Sequence, residues 1–137
     1  ISKSLPVVFP VHPRTKNSLD KLKIEIKKGI TITEPMPYLE FLGFLAKAKI
    51  VITDSGGIQE ETTYLNVQCV TFRENTERPE TVEAGAHIIA GINPQNIVDS
   101  VETIVNNKWI ARYDLNGDFE PSTVVINTLR SQINNYF

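Results

Sequence analysis

Ile50-Val51-Ile52-Thr53-Asp54-Ser55-Gly56-Gly57-Ile58-Gln59-Glu60-Glu61 is the stretch on which the reading of this chain turns. Three β-branched apolar residues run into small and polar ones, and a helical pattern follows. A strand that ends in such a turn and opens into a helix leaves backbone N–H groups and a positive dipole end directed at whatever binds there. That makes an anion site. Ser55 can add a hydroxyl, and Gly56 and Gly57 lack the Cβ atoms that would keep a phosphate off the backbone. Glu61 follows Gly57 at i+4, about 6 Å along the helix face, where a carboxylate can accept hydrogen bonds from hydroxyls such as those of a ribose. The alternative is a tight strand-to-helix turn with no ligand.

Several chemistries are disfavoured at this turn. It lacks the Gly-Lys-Ser/Thr ending of a P-loop and the GxGxxG of a dinucleotide fold, which argues against ATP hydrolysis and NAD binding. A serine elbow needs Gly-x-Ser-x-Gly, and Thr53 stands where the first glycine would be.

Outward from the turn, short apolar runs alternate with helical patterns. Leu5 to Phe9 reads as a buried strand closed by Pro10-Val11-His12-Pro13-Arg14. A helix is expected from Asn17 or Ser18 to Lys28, with Leu19, Leu22 and Ile26 inward and Gly29 as its stop. Ile30 to Thr33 is a second strand. From Tyr38 to Ala48 the stripe Tyr38, Leu39, Leu42, Leu45, Ala46 predicts a helix that Phe41 and Phe44 widen. Strand three is Ile50 to Thr53, followed by a helix from Gly57 to Leu65, strand four from Gln68 to Phe72, and a short helix from Pro79 stopped at Gly85. His87 to Ala90 is strand five. A helix from Pro94 to about Asn107 carries Ile97, Val98, Val101, Ile104 and Val105 inward. Trp109 to Asp118 reads as irregular or a short helix, and Ser122 to Tyr136 as a last one, with Val125, Ile126, Leu129 and Ile133 inward. Strands of four or five residues between helices of eight to fourteen are the mark of parallel βαβ units. The expectation is a doubly wound α/β domain, whose ligands bind at the carboxyl ends of the strands. His12, Met36, the Ser55 turn and the loop from Arg73 to Arg78 emerge there.

The composition fits one domain: 137 residues, 41% hydrophobic, a formal charge of −2. Residues 1–50 carry nine Lys or Arg against four acids, and residues 51–137 carry five against twelve. The basic part, Lys21, Lys23, Lys27 and Lys28, reads as a solvated helix face, so no nucleic-acid partner is expected. Cys69 lies in an apolar run and reads as a buried free thiol in a reducing compartment. One cysteine and two histidines argue against a protein-made metal site. No apolar run approaches the roughly eighteen residues of a membrane span, no signal peptide is visible, and a cytoplasmic place follows. The chain begins at Ile1, almost straight into a strand, and is expected to be a piece of a longer protein.

Other residues keep two readings each. Arg78 is either a salt-bridge partner or a clamp whose guanidinium fork matches phosphate oxygens. His12 between prolines is a loop or a catalytic histidine, and Tyr38 and Phe41 are core or base-stacking groups.

The run from Thr53 to Glu61, followed seventeen residues later by Arg78 within Thr76-Glu77-Arg78-Pro79-Glu80 and then Glu83-Ala84-Gly85, closely resembles the UDP-N-acetylglucosamine 2-epimerases. Pro10-Val11-His12-Pro13-Arg14 and Tyr38-Leu39-Glu40-Phe41-Leu42 are similar to that family's preceding blocks, so the resemblance covers about residues 5–107. It implies two Rossmann-like domains in the glycosyltransferase-B arrangement with a cleft between them. Residues 1–137 would be the C-terminal, nucleotide-binding domain, with 121–137 a terminal helix and the N-terminal domain absent.

By that resemblance Ser55, Gly56 and Gly57 hold the diphosphate, Glu61 the ribose hydroxyls, Phe41 the uracil face, and the backbone near Met36 the base edge. Arg78 belongs to the same UDP-sugar site. His12 corresponds to a histidine associated with a second, activating UDP-sugar. The implied reaction interconverts UDP-N-acetylglucosamine and UDP-N-acetylmannosamine by eliminating UDP and adding it back, with no cofactor or metal. Its catalytic acids and bases would lie in the missing domain, so the isolated chain should bind UDP weakly and not turn over. A homodimer is implied for the whole protein. Where many members carry Asn-Pro-Tyr-Gly-Asp-Gly, this chain has Asp114-Leu115-Asn116-Gly117-Asp118-Phe119-Glu120, which leaves a more elaborate UDP-sugar open. A hydrolysing epimerase that releases N-acetylmannosamine and UDP, and a non-catalytic nucleotide-sugar-binding module, are the alternatives.

Overall fold

A computed structural model describes residues 1–106, 125–127 and 129–130. Within residues 1–106 five strands alternate with five helices: β1 Val7–Pro10, α1 Pro13–Lys21, β2 Ile30–Thr33, α2 Tyr38–Leu45, β3 Val51–Thr53, α3 Gly56–Tyr64, β4 Cys69–Thr71, α4 Pro79–Glu83, β5 His87–Ile89 and α5 Pro94–Asn106. Every strand pairing is parallel. β1 aligns Val7 with Ile30 of β2, while β4 sits between β3 and β5, with Cys69 aligned to Val51 on one side and His87 on the other. The α/β class with parallel sheets is thus as the alternation predicts. The hydrogen-bonded orders are β1-β2 and β3-β4-β5. The expected single sheet is found as two hydrogen-bonded groups. Pro10 has no N–H for a further neighbour, and β3 is three residues long.

The core lies on β4 and α5. Val70, Ala90, Val101 and Ile104 are buried together, with Ile50, Ile88 and Ile97 packed against them. Turn chemistry closes the helices. After α4, Gly85 takes φ 71, and the N–H groups of Ala86 and Gly85 reach back to the carbonyls of Thr81 and Val82, a Schellman end. Asn66 and Lys23, at φ 56 and 51, play the same part after α3 and α1.

Several expectations are corrected. α1 starts four residues earlier than Asn17, because Pro13 suits the first helical position and His12 caps it, its Nδ1 accepting from the Arg14 N–H at 3.2 Å. It ends at Lys21, so Leu22 and Ile26, expected inward, are exposed. Gly29 is no helix stop. Its φ is 89, and a Cβ there would lie 2.4 Å from the Ser2 carbonyl oxygen, so close backbone approach requires it. On α2, Leu45 is buried and Phe41 and Leu42 half-buried, while Tyr38, Leu39 and Ala46 are exposed. Val8 and Phe9 of β1 and Val105 of α5 are also exposed. Residues 125–127 and 129–130 are helical, but Val125, Ile126 and Leu129 are exposed rather than inward. An apolar stripe fixes the face a helix would bury and does not supply a neighbour to cover it. The rest of the expected last helix, the Trp109 to Asp118 segment and the Asp114 to Glu120 departure lie outside the described residues.

Candidate functional site

β3 ends on Thr53, whose buried hydroxyl accepts from the Ser55 N–H at 3.1 Å and sets the turn. Ser55 is extended, at φ −88 and ψ 126, and stands as N-cap of α3 without using its side chain to cap. The first backbone bond into the helix runs from the Gln59 N–H to the Ser55 carbonyl at 3.3 Å. Helix geometry therefore leaves the N–H groups of Gly56, Gly57 and Ile58 without an intrahelical acceptor. No acidic residue lies in the first turn to offset the dipole. A Cβ added at Gly56 would meet nothing within 4 Å, and one at Gly57 only Ser55 Oγ at 3.9 Å. Internal packing does not demand these glycines. They leave open space in front of the amides.

Glu61 lies one turn into α3. Its Oε1 accepts from the Tyr38 hydroxyl at 3.1 Å, and its Oε2 is buried with no hydrogen-bond partner. A carboxylate oxygen kept from water without a donor is costly, so Glu61 Oε2 is an acceptor with its bonding capacity unused. The bond to Glu61, with lesser help from desolvation and the carboxylate charge, raises the Tyr38 phenol above its ordinary range. Tyr38 is the residue that helical spacing misassigned to the core. Its place in the first turn after Pro37, with a polar tip on an exposed position, was the available signal. Phe41 stands one turn further along α2, half-buried, and Met36 is half-buried in the loop before it.

Arg78 comes to α3 from the loop after β4. Its Nε lies 2.6 Å from Glu60 Oε1, a charge contact whose N–H is not aligned for a hydrogen bond. Its Nη1 donates to the Glu77 carbonyl at 3.1 Å. The neighbouring Glu77 carboxylate instead faces Arg73, 3.6 Å from Nη2. Arg73 reaches back to the turn, with Nη1 3.5 Å from the Asp54 carbonyl oxygen, at the outer limit for a hydrogen bond. Ser55 and Glu61 thus lie at the start of α3 and one turn into it, and Arg78 reaches the same helix through Glu60. His12 uses its Nδ1 to cap α1.

Cys69 is fully buried in β4, and desolvation pushes its thiol up to about 11, so it is inert at neutral pH. Among the described residues no cluster of three His, Cys, Asp or Glu side chains could hold a metal ion, and no helix is long and apolar enough to cross a membrane.

Fold and site define a class: a parallel α/β protein whose strand-to-helix turn directs helix N-terminal amides outward, with a partly buried carboxylate one turn further on. The family model for UDP-N-acetylglucosamine 2-epimerase matches residues 1–122, and the chain belongs to that family. It is 45% identical to the UDP-N-acetylglucosamine 2-epimerase of Methanococcus maripaludis, over 88% of this chain and 34% of that protein. It is 38% identical to the UDP-2,3-diacetamido-2,3-dideoxy-D-glucuronate 2-epimerase of Pseudomonas aeruginosa, over 72% of this chain and 27% of that one. The crystal structure of Methanocaldococcus jannaschii UDP-GlcNAc 2-epimerase in complex with UDP-GlcNAc and UDP superposes with a TM-score of 0.75 at 41% identity, over 90% of this chain and 35% of that one. The chain spans about a third of the length of the curated relatives it matches.

Proposed function

We propose that this chain is the C-terminal, UDP-binding domain of an enzyme that interconverts UDP-N-acetylglucosamine and UDP-N-acetylmannosamine. One observation carries the reading: the buried, partnerless Oε2 of Glu61, one turn beyond the open amides of Gly56 and Gly57. The spacing suits a ribose hydroxyl on Glu61 and a diphosphate at the helix N-terminus with Ser55. Arg78 lies near enough to add its charge. Phe41 packs on the uracil, the backbone near Met36 reads its edge, and His12 takes part in binding a second UDP-sugar. UDP gains negative charge as it leaves the sugar. A fixed helix N-terminus and a guanidinium stabilise that charge most when it is fully developed. The groups that move the C2 proton belong to an N-terminal domain, across a glycosyltransferase-B type cleft. The whole protein works as a cytoplasmic homodimer.

Titration of UDP tests the placement. Glu61→Ala and Arg78→Ala should each weaken binding about tenfold or more, the scale of a lost charge-assisted hydrogen bond. Parent-like binding by both would remove the site. For the full-length protein, NMR in deuterated water should show deuterium entering C2 of recovered UDP-N-acetylglucosamine, and an inert substrate would remove the activity. The similarity to an epimerase named for a diacetamido-glucuronate favours a second reading, a more substituted UDP-sugar with the same UDP subsite. Under that reading UDP still binds while UDP-N-acetylglucosamine stays inert and the substituted sugar exchanges its C2 proton.

A further inference from the structure

Arg78 sits in a loop, yet both of its backbone polar groups are tied down by side chains. Its N–H donates to Thr76 Oγ1 at 3.0 Å, and its carbonyl accepts from Thr81 Oγ1 at 2.8 Å. Each threonine is anchored in turn on a fully buried group. Thr76 Oγ1 lies 2.7 Å from Gln59 Oε1 on α3, and Thr81 Oγ1 lies 2.6 Å from His87 Nδ1 on β5.

A hydroxyl has one proton to give, and this orients the Thr76 bonds. The Thr76 proton goes to Gln59 Oε1, so its lone pair takes the Arg78 N–H. On the other side the Arg78 carbonyl accepts from the Thr81 N–H at 3.2 Å as well as meeting the Thr81 hydroxyl, which in turn is bonded to His87 Nδ1.

We propose that Gln59, Thr76, Thr81 and His87 are positioning residues that clamp the Arg78 backbone between α3 and β5, so that its guanidinium is held beside Glu60 before ligand arrives. The clamp rests on the reading of Arg78 as a UDP-binding group. The two threonines hold the N–H and the carbonyl on either side of the Arg78 Cα, and their anchors come from elements on either side of the loop. A side chain fixed through its own backbone loses less freedom on binding than one on a mobile loop.

The test uses UDP affinity of the full-length protein. Thr76→Val and Thr81→Val remove the hydroxyl and keep the shape, while Thr76→Ser and Thr81→Ser keep the hydroxyl. Each valine variant should weaken UDP about five- to tenfold, the scale of one buried hydrogen bond, and the serine variants should bind like the parent. In an Arg78→Ala background the valine changes should cost nothing more. Equal losses with and without Arg78 would show a general packing effect and overturn the clamp, as would valine variants that bind like the parent. If Arg78→Ala itself binds UDP like the parent, the reading of the site fails instead. Hydrogen exchange needs no variant: the Arg78 amide should be protected like those of β4, and exchange at the rate of an open loop would overturn the proposal.

Discussion

The first third of the chain and the middle are built from the same βαβ pattern and are held together differently. In the first, β1 and β2 share a four-residue parallel register, but α1 buries no residue and Leu22, Ile24 and Ile26 behind it are exposed. From β3 onward α3 and α5 pack on β4 and α4 on β5, and the interior is rich in polar groups: Thr53, Gln59, Thr62, Thr63, Thr71, Thr81 and His87 are all buried. The first region buries few side chains, Val11 and Leu45 among them, and relies more on its backbone hydrogen bonds. The second uses side-chain hydroxyls and amides, which fix positions more sharply than apolar contact does because they are directional. Its loops are therefore where a ligand site with set distances can be carried.

The contrast predicts an unequal response to truncation. Ile104→Ala, in the core beside Val70 and Val101, should cost about 2–4 kcal/mol, the usual range for emptying a buried aliphatic site. Leu22→Ala, exposed to 70%, should change stability by less than about 0.5 kcal/mol. Urea melts of the two variants check this directly. Equal losses would mean that the α1 region is as well packed as the β4 region, and the comparison would fall.

The next test touches the polar interior alone. Burial of His87 lowers its tendency to protonate below the ordinary value of 6.5, against an opposing pull from the Glu80 charge. Its protonated form carries an N–H on both ring nitrogens, and Nε2 is buried without a partner. The unfolded chain takes up that proton at a higher pH than the folded one. The stability from neutral His87 is thus fully present above about pH 6.5 and is lost as pH falls through the folded pKa. Thermal melts between pH 5 and 7.5 should show stability rising with pH in the lower part of that range. The slope should shrink in His87→Gln. A slope that survives the substitution unchanged would place the titration elsewhere.

The order of strands and helices was legible because alternation and turn residues are local signals. The β3–α3 turn was legible for the same reason, as was Gly85 closing α4. The start of α1 was not, since histidine is an unusual cap and only the Pro13 that follows betrays it. Burial on α1 and α2 was misread because periodicity names a face without naming what covers it. The partners of Arg78 were hidden for another reason. Gln59 and Thr76 are 17 residues apart, and their bond exists only once α3 and the loop after β4 have folded together. The spacing of Thr76 two before Arg78 and Thr81 three after it was the local trace, since hydroxyl side chains bond backbone at those separations.

The smallest expected effect falls on the seam between the two regions, where Tyr38 of α2 meets Glu61 of α3. Tyr38→Phe removes one donor from Glu61 Oε1 and leaves the ring. Tyr38 is 60% exposed, so water can replace its hydroxyl, and the loss in UDP affinity should be about twofold with little change in melting temperature. The free Oε2, not the tyrosine-bound Oε1, is the oxygen the ligand is expected to use, so the carboxylate keeps its function without Tyr38. A loss of tenfold or more would mean that the tyrosine fixes the carboxylate for the ligand, and that α2 contributes to the site with the same directional bonding as the β3–β5 region. A gain in affinity would mean that the hydroxyl competes with the ribose for the carboxylate. Titration of UDP into Tyr38→Phe separates the three outcomes by sign and size, and in a Glu61→Ala background each should vanish, because all three act through that carboxylate.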